Sequence, residues 1–273
     1  GTGGHAAALA RRLGPDGTLV CMDRDEDALE VARGRLEDTG CPFRLFCGPF
    51  SRAGEAAERA DVDGFDAVLA DLGVGTHQMD DPERAFSYSS TAPLDMRYDR
   101  SQRLTAWDVV NREPEHRLAE MFRELGEERM SRQIARAIAR RRDRETIDTP
   151  AELAELIENV AARSGSGTWR IHPATRVMMA LRIYVNDELQ ELEDFLELLP
   201  GILAPGGRAA VLTYHSLEAR RVKQAWGRQE DEGKLEVLTD TPLTPDEDEV
   251  EQNPRVRSCQ LRAARRKTEW GRA

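Results

Sequence analysis

Between His5 and Ala70 short apolar runs alternate with segments of helical period, and this alternation constrains the chain more than any other feature. Continuous apolar strands separated by helices are the pattern of a parallel sheet covered on its faces by helices. Residues 6–13 read as a helix ended by Gly14-Pro15, 18–22 as a strand, 25–38 as a helix and 43–47 as a strand. A helix over about 51–59 and a buried strand over 65–70 follow, each strand ending in a polar or glycine loop.

The alternation stops at about Gln78. From there to His172 the chain is polar, arginine-rich and helical in period, with no convincing strand, which predicts an inserted helical subdomain. Its main helices are expected over 117–125, 128–142 and Pro150–Arg163, the last with proline in its first turn after Thr149 as cap. Ser164-Gly165-Ser166-Gly167 reads as a flexible joint. Alternation resumes with helices over 173–186 and 187–199, then Pro205-Gly206-Gly207 turning into a strand over 209–213 and a helix over 217–228. Two closing strands, 235–239 and 258–263, are placed to pair antiparallel, and the acidic stretch 245–252 between them reads as a solvated loop. The expected organisation is an α/β domain, Rossmann-like, from residues 1–77 and 173–273, interrupted by an all-helical subdomain over 78–172.

Composition narrows the functional classes. With 273 residues, 40% of them hydrophobic, the chain is long enough to bury a core. The most apolar stretch, 177–185, is interrupted by Arg182, so a soluble protein with no membrane partner is expected. A net charge of -11 disfavours coating nucleic acid through bulk charge, though local basic patches are compatible with it. Only Lys223, Lys234 and Lys267 are lysine, so arginine carries almost all the positive charge. Cys21, Cys41, Cys47 and Cys259 make neither a disulfide framework nor a C-x-x-C pair, which fits a reducing cytoplasm. No group of His, Cys, Asp and Glu has metal spacing, so no catalytic metal is expected. The start, Gly1-Thr2-Gly3-Gly4-His5, has no initiator methionine and no leader pattern, and suggests a missing N-terminal segment.

That start also fits the loose pattern G-x-G-x-x-G/A opening a helix, where glycines let the backbone approach a ligand and helix amides face it. Twenty residues after Gly3, Asp23 closes the next strand, at the spacing where an acid accepts hydrogen bonds from ribose hydroxyls. A glycine turn and a cap for the next helix would explain both without a ligand. The pair points to a nucleoside cofactor without separating a nicotinamide dinucleotide from S-adenosylmethionine. Asp71-Leu72-Gly73-Val74-Gly75 then sets a carboxylate at the mouth of the sheet, where open α/β sheets bind ligands.

Taken together, these residues resemble the bacterial 16S rRNA (cytosine(1402)-N(4))-methyltransferases, over essentially the whole chain. The resemblance is carried by Gly3-Gly4-His5, Met22-Asp23-Arg24-Asp25, Gly48-Pro49-Phe50-Ser51, Asp71-Leu72-Gly73-Val74, Gln78-Met79-Asp80-Asp81 and Pro93-Leu94-Asp95-Met96-Arg97. Gly126-Glu127-Glu128-Arg129, His172-Pro173-Ala174-Thr175-Arg176, His215-Ser216-Leu217-Glu218 and Asn253-Pro254-Arg255 follow in the family's order. It implies a class I methyltransferase sheet holding S-adenosylmethionine and an insertion that helps recognise 16S rRNA in the small ribosomal subunit, with a homodimer as one allowed assembly. By position Gly3, Gly4 and His5 would line the methionine end of the cofactor, Asp23 its ribose and Phe50 its adenine, Phe50 as ordinary core being the bland alternative. Asp71 and Gln78 would lie near the sulfonium and target base, with Asp71 the candidate proton acceptor. Asp95, Arg97 and His215 are the candidate substrate residues, His215 having a local turn role as its alternative.

The sequence departs from the family in three places. The family's segment with the first strand and an acid before the glycines is absent, Gly75-Thr76-His77 stands where Ser-Ser-Pro is usual, and Ala219 stands where aspartate is usual. An Asp/Asn-Pro-Pro-aromatic motif common in DNA amino-methyltransferases is also lacking, which counts against duplex DNA. Arg132, Arg136 and Arg140 recur at four-residue spacing and present either a phosphate-gripping or a merely solvated helix face. A nicotinamide-dependent oxidoreductase and a non-catalytic ribosome-binding protein are the competing readings.

Overall fold

The computed structural model describes residues 1–163 and 172–270, and the expected joint at 164–167 lies outside them. The chain forms two compact units, one of residues 1–73 and 189–273, the other of residues 74–188. In the first, the expected alternation is present: α1 (Gly4–Leu13), β1 (Leu19–Asp23), α2 (Glu26–Glu37), β2 (Phe43–Cys47), α3 (Ala53–Ala60) and β3 (Phe65–Asp71). In the second, α4 (Thr76–Asp80), α5 (Ala106–Arg112), α6 (Glu115–Glu124), α7 (Ser131–Arg142), α8 (Pro150–Arg163) and α9 (Thr175–Asn186) follow, with no strand among the described residues. The chain then returns through α10 (Glu188–Ile202), β4 (Leu203–Thr213), α11 (Ser216–Asp231), β5 (Leu235–Val237), α12 (Glu247–Gln252) and β6 (Gln260–Arg266).

The strands form two ladders. β1 and β2 pair in parallel, and a second ladder runs β3-β4-β6-β5, with β3 and β4 parallel and both β6 pairings antiparallel, as the closing strands were expected to be. β1 and β3 do not pair with each other. Both ladders nevertheless contribute to one core: Met22 of β1 and Val68 and Ala70 of β3 pack on a cluster centred on Phe195, Leu196, Leu199, Val211 and Trp226.

Three local features differ from expectation. The Pro205-Gly206-Gly207 turn is a bulge within a continuous β4: Phe65 pairs with Leu203, but Ala67 pairs with Arg208. Gly206 is left-handed at φ 80°, which any side chain would strain. α10 runs past Leu199 and contains Pro200, which cannot donate to the carbonyl of Leu196. That carbonyl instead accepts from Gln229 Nε2 of α11 at 2.7 Å, so a buried side chain replaces the missing backbone bond. The acidic stretch is exposed as expected, but part of it is the helix α12, because Asp246 caps it by accepting from Glu249 N at 2.8 Å.

The second unit ends later than its sequence suggests, at Glu188 rather than His172. The apolar residues of α9, Val177, Met178, Leu181 and Val185, fall at helical spacing and are buried in the helical core with Val109, Leu118, Phe122, Ile134 and Ile157. A helix read as the return to the sheet is therefore part of the helical unit. Thr149 caps α8 as expected, accepting from Glu152 N at 3.2 Å. No helix among the described residues is long and apolar enough to cross a membrane.

Replacing Gln229 with leucine keeps most of the volume but strands the Leu196 carbonyl without a donor. The expected cost is about 1–3 kcal/mol of stability, read by urea denaturation, and an unchanged midpoint would remove this role from Gln229.

Candidate active site

In the sheet-bearing unit the candidate residues gather where the parallel strands end. Gly3 begins α1 in the left-handed conformation, φ 83°, and a Cβ there would lie 2.9 Å from the Cα of Ala32, so only glycine fits the turn against α2. A Cβ built on Gly4 would meet nothing within 4 Å. Among the described residues no side chain caps α1, and its first turn carries no acid, so nothing negative competes at its amide end. Asp23, at the end of β1, accepts from Asp25 N at 2.9 Å through Oδ1, while Oδ2 meets the Gly1 amine. Asp25 in turn caps α2 by accepting from Asp27 N at 3.2 Å. The capping function foreseen as a ligand-free explanation for Asp23 thus belongs mainly to its neighbour.

Asp71, the last residue of β3, stands between two partners. Its Oδ2 lies 3.3 Å from Nδ1 of His5, and its Oδ1 accepts from the Tyr214 hydroxyl at 2.7 Å. Parallel pairing explains the meeting: Asp71 is in register with Leu212 of β4, and Tyr214 follows two residues later on the same side of the sheet's end. Tyr214 was not among the expected site residues. Two neighbouring parallel strands ending in Asp71 and in a tyrosine just before a recognised string were the available signal, but only the pairing register makes them neighbours.

Electrostatics keep Tyr214 a donor. Burial pushes its phenol well above the ordinary range, and the hydrogen bond to Asp71 and that carboxylate's charge add to the shift. Burial likewise raises the nearby Cys259 thiol against the opposing influence of the neighbouring Tyr214 hydroxyl, and the Asp71 charge raises it further. Cys21 is pushed up to about 11 by burial, so neither thiol has the thiolate character of a nucleophile.

Phe50 packs edge-on against Phe195, ring centroids 5.3 Å apart at 78°, and rests on the shared core while remaining partly exposed. His215 serves the turn, the alternative role foreseen for it. It is the N-cap of α11, its Nδ1 accepting weakly from Glu218 N at 3.4 Å. Buried Glu218 completes the capping box by accepting from Tyr214 N at 2.8 Å and His215 N at 3.3 Å. The string His215-Ser216-Leu217-Glu218 therefore fixes the backbone that carries Tyr214.

The remaining candidates belong to the helical unit. Gln78 is buried, and its Oε1 accepts from Gly75 N at 2.9 Å, closing the first turn of α4. Asp95 and Arg97 engage each other in a two-pronged pair, Nε to Oδ1 and Nη2 to Oδ2, both 2.7 Å. Arg97 Nη1 also donates to the carbonyls of Arg100 and Gln102 at 3.0 and 2.6 Å, so its fork organises the loop before α5. Fully buried Asn186 holds the same loop, donating to Met96 O and accepting from Tyr98 N, each at 2.7 Å, with Met96 left-handed at φ 62°. Of the basic face, Arg132, Arg136 and Arg140 are exposed opposite buried Ile134, Ala135 and Ile138 of α7. Arg136 lies 3.6 Å from a Glu115 carboxylate oxygen, whereas Arg142 turns inward to the carbonyl of Val110 at 2.7 Å.

Parallel strands ending in Asp23 and Asp71, a glycine turn opening α1 and a reversed final strand β6 form a class I methyltransferase fold. The chain belongs to the MraW methylase family, which matches residues 1–267. It is 45% identical over 274 residues to the ribosomal RNA small subunit methyltransferase H of Acidobacterium capsulatum, covering 98% of this chain and 90% of that protein. Proteins of the same name from Koribacter versatilis and Geobacter sulfurreducens are 43% and 44% identical, over 98% and 97% of this chain and 86% and 89% of theirs. Membership in a methylase family speaks against the nicotinamide-dependent alternative.

Burial alone would raise the Asp95 carboxyl, but the hydrogen bonds and charge of Arg97 outweigh it and hold it below the usual carboxylate range. Its contribution to stability is therefore fully present above about pH 4 and is lost as pH falls through the depressed value. Chemical denaturation between pH 7 and pH 3 should show an acid loss that is smaller in Arg97→Gln. Equal losses in both proteins would discard the pair as its source.

Proposed function

We propose that this protein transfers a methyl group from S-adenosylmethionine to the exocyclic N4 amine of cytidine 1402 in 16S ribosomal RNA of the small subunit. The observation that carries the reading is the Asp71 carboxylate, held at the tip of β3 beside the open amide end of α1 in a chain of the MraW methylase family. The choice of RNA rests on the name borne by its relatives, ribosomal RNA small subunit methyltransferase H. Its place is then the cytoplasm, where that RNA is found.

The residues present fit such a donor. The Gly3-Gly4 turn and the leading amides of α1 suit a carboxylate, Asp23 suits a ribose diol, and the partly exposed Phe50 ring suits an adenine face. Bound there, S-adenosylmethionine supplies an electrophilic methyl on sulfur; one nitrogen–carbon bond forms, one carbon–sulfur bond breaks and one amine proton is released. The N4 lone pair of cytosine is conjugated into the ring, so an acceptor on the amine hydrogens helps to free it. Asp71 is that acceptor and takes the proton. The protein's larger task is alignment, worth about 7–11 kcal/mol when nucleophile and electrophile are held in line. Gln78 acts at one remove by holding the turn at Gly75.

The target base must leave its stack, at a cost of a few kcal/mol that is lowest in a single-stranded segment. The exposed face of α7 offers Arg132, Arg136 and Arg140 to the RNA backbone. Reversing it with Arg132→Glu and Arg136→Glu should weaken binding to small-subunit RNA and flatten the dependence of log affinity on log salt by about two. An unchanged slope would return these arginines to a solvated face.

Mass spectrometry of small-subunit rRNA from cells with and without the gene tests the whole reading. One N4-methyl mark on a single cytidine should disappear with the gene, and identical spectra would reject the proposal.

A further inference from the structure

We infer that Tyr214 is a positioning residue for this reaction: its hydroxyl commits one oxygen of Asp71 and leaves the other, Oδ2, to receive the amine proton. The inference rests on the function proposed above and adds a residue to it. The Asp71 side chain is 41% exposed, and without a fixed partner its carboxylate plane would be free to turn. The 2.7 Å bond from Tyr214 fixes that plane, and it joins residues 143 positions apart.

Tyr214 is itself held. Its backbone amide donates to buried Glu218, the capping-box acid of α11, and its partly buried side chain stands beside Cys259, the residue just before β6. The groups facing Asp71 are His5 from α1, Tyr214 from the end of β4 and the Cys259 thiol. Of these, Cys259 has its thiol held protonated and Tyr214 is spent as a donor to Oδ1. His5 lies 3.3 Å from Oδ2 with its side chain 61% exposed, so a proton accepted at Oδ2 has an imidazole and solvent to pass to. As the cytosine nitrogen takes carbon and the carbon–sulfur pair leaves with sulfur, the amine proton goes to Oδ2 and then to water, which leaves Asp71 ionised for the next turnover.

Tyr214→Phe removes the hydroxyl and keeps the ring. In the complete protein it should lower kcat about 10- to 100-fold, the size of effect seen when an outer partner of a functional group is deleted. Affinity for S-adenosylhomocysteine by calorimetry and the KM for small subunits should stay within about twofold. Asp71→Asn with Tyr214→Phe should be no slower than Asp71→Asn alone, since the two act as a unit. Independently of turnover, ultraviolet titration of the phenols should show one tyrosine more resistant to ionisation than the other three, and Asp71→Asn should ease its titration. Wild-type rates in Tyr214→Phe, multiplying losses in the double variant, or a titration indifferent to Asp71 would each overturn the role of Tyr214 alone. A wild type that transfers no methyl would overturn the enzymatic reading and this one with it.

Discussion

Parallel pairing of β3 with β4 is the constraint on which the rest depends. It sets Asp71 opposite Leu212 and so brings Tyr214 onto the same sheet end, although a whole helical unit separates them in the chain. The entropy of closing a loop grows only as the logarithm of its length, so a long insertion between two paired strands costs little more than a short one. A self-contained unit with its own core, inserted in the chain between β3 and β4, leaves their pairing intact.

Around that pairing, groups that look catalytic in isolation divide into those left exposed at the strand ends and those spent on shape. Glu218 and His215 close the start of α11, and Asp95 and Arg97 hold one another within the helical unit, with Asn186 clamping the same loop through Met96 and Tyr98. The charges of Glu218, Asp95 and Arg97 kept this way have hydrogen-bond partners, and the cost of removing them from water is offset locally. His5 and Asp71 are different, for each is well exposed at the strand ends and their mutual contact is long. Such exposure is what the proton-accepting role proposed for Asp71 requires.

Much of the fold was legible in the sequence because its signals are local. The strands at β1, β2 and β3 and the helix Pro150–Arg163 follow from apolar runs, helical periodicity and the Thr149 cap. Where the reading failed, longer-range contacts decided. Pro205-Gly206-Gly207 carries every mark of a turn but is absorbed into β4 as a bulge, because Phe65 and Leu203 pair across it. Pro200 should end a helix, yet α10 continues because Gln229 takes over the stranded carbonyl. α9 was assigned to the sheet by its place in the order of elements, whereas its buried stripe belongs with α5 and α6.

By itself the sequence determined the family, the glycine turn at Gly3, the acids Asp23 and Asp71 and the existence of a helical insertion, since each is written in residue type and spacing. Only the tertiary structure decided that Tyr214 reaches Asp71, that His215 faces its own helix and that Asp95 and Arg97 are bound to each other. Side-chain partnership depends on strand register and on which carbonyls and carboxylates are left unsatisfied once the chain has packed, and neither is encoded in any one stretch of residues.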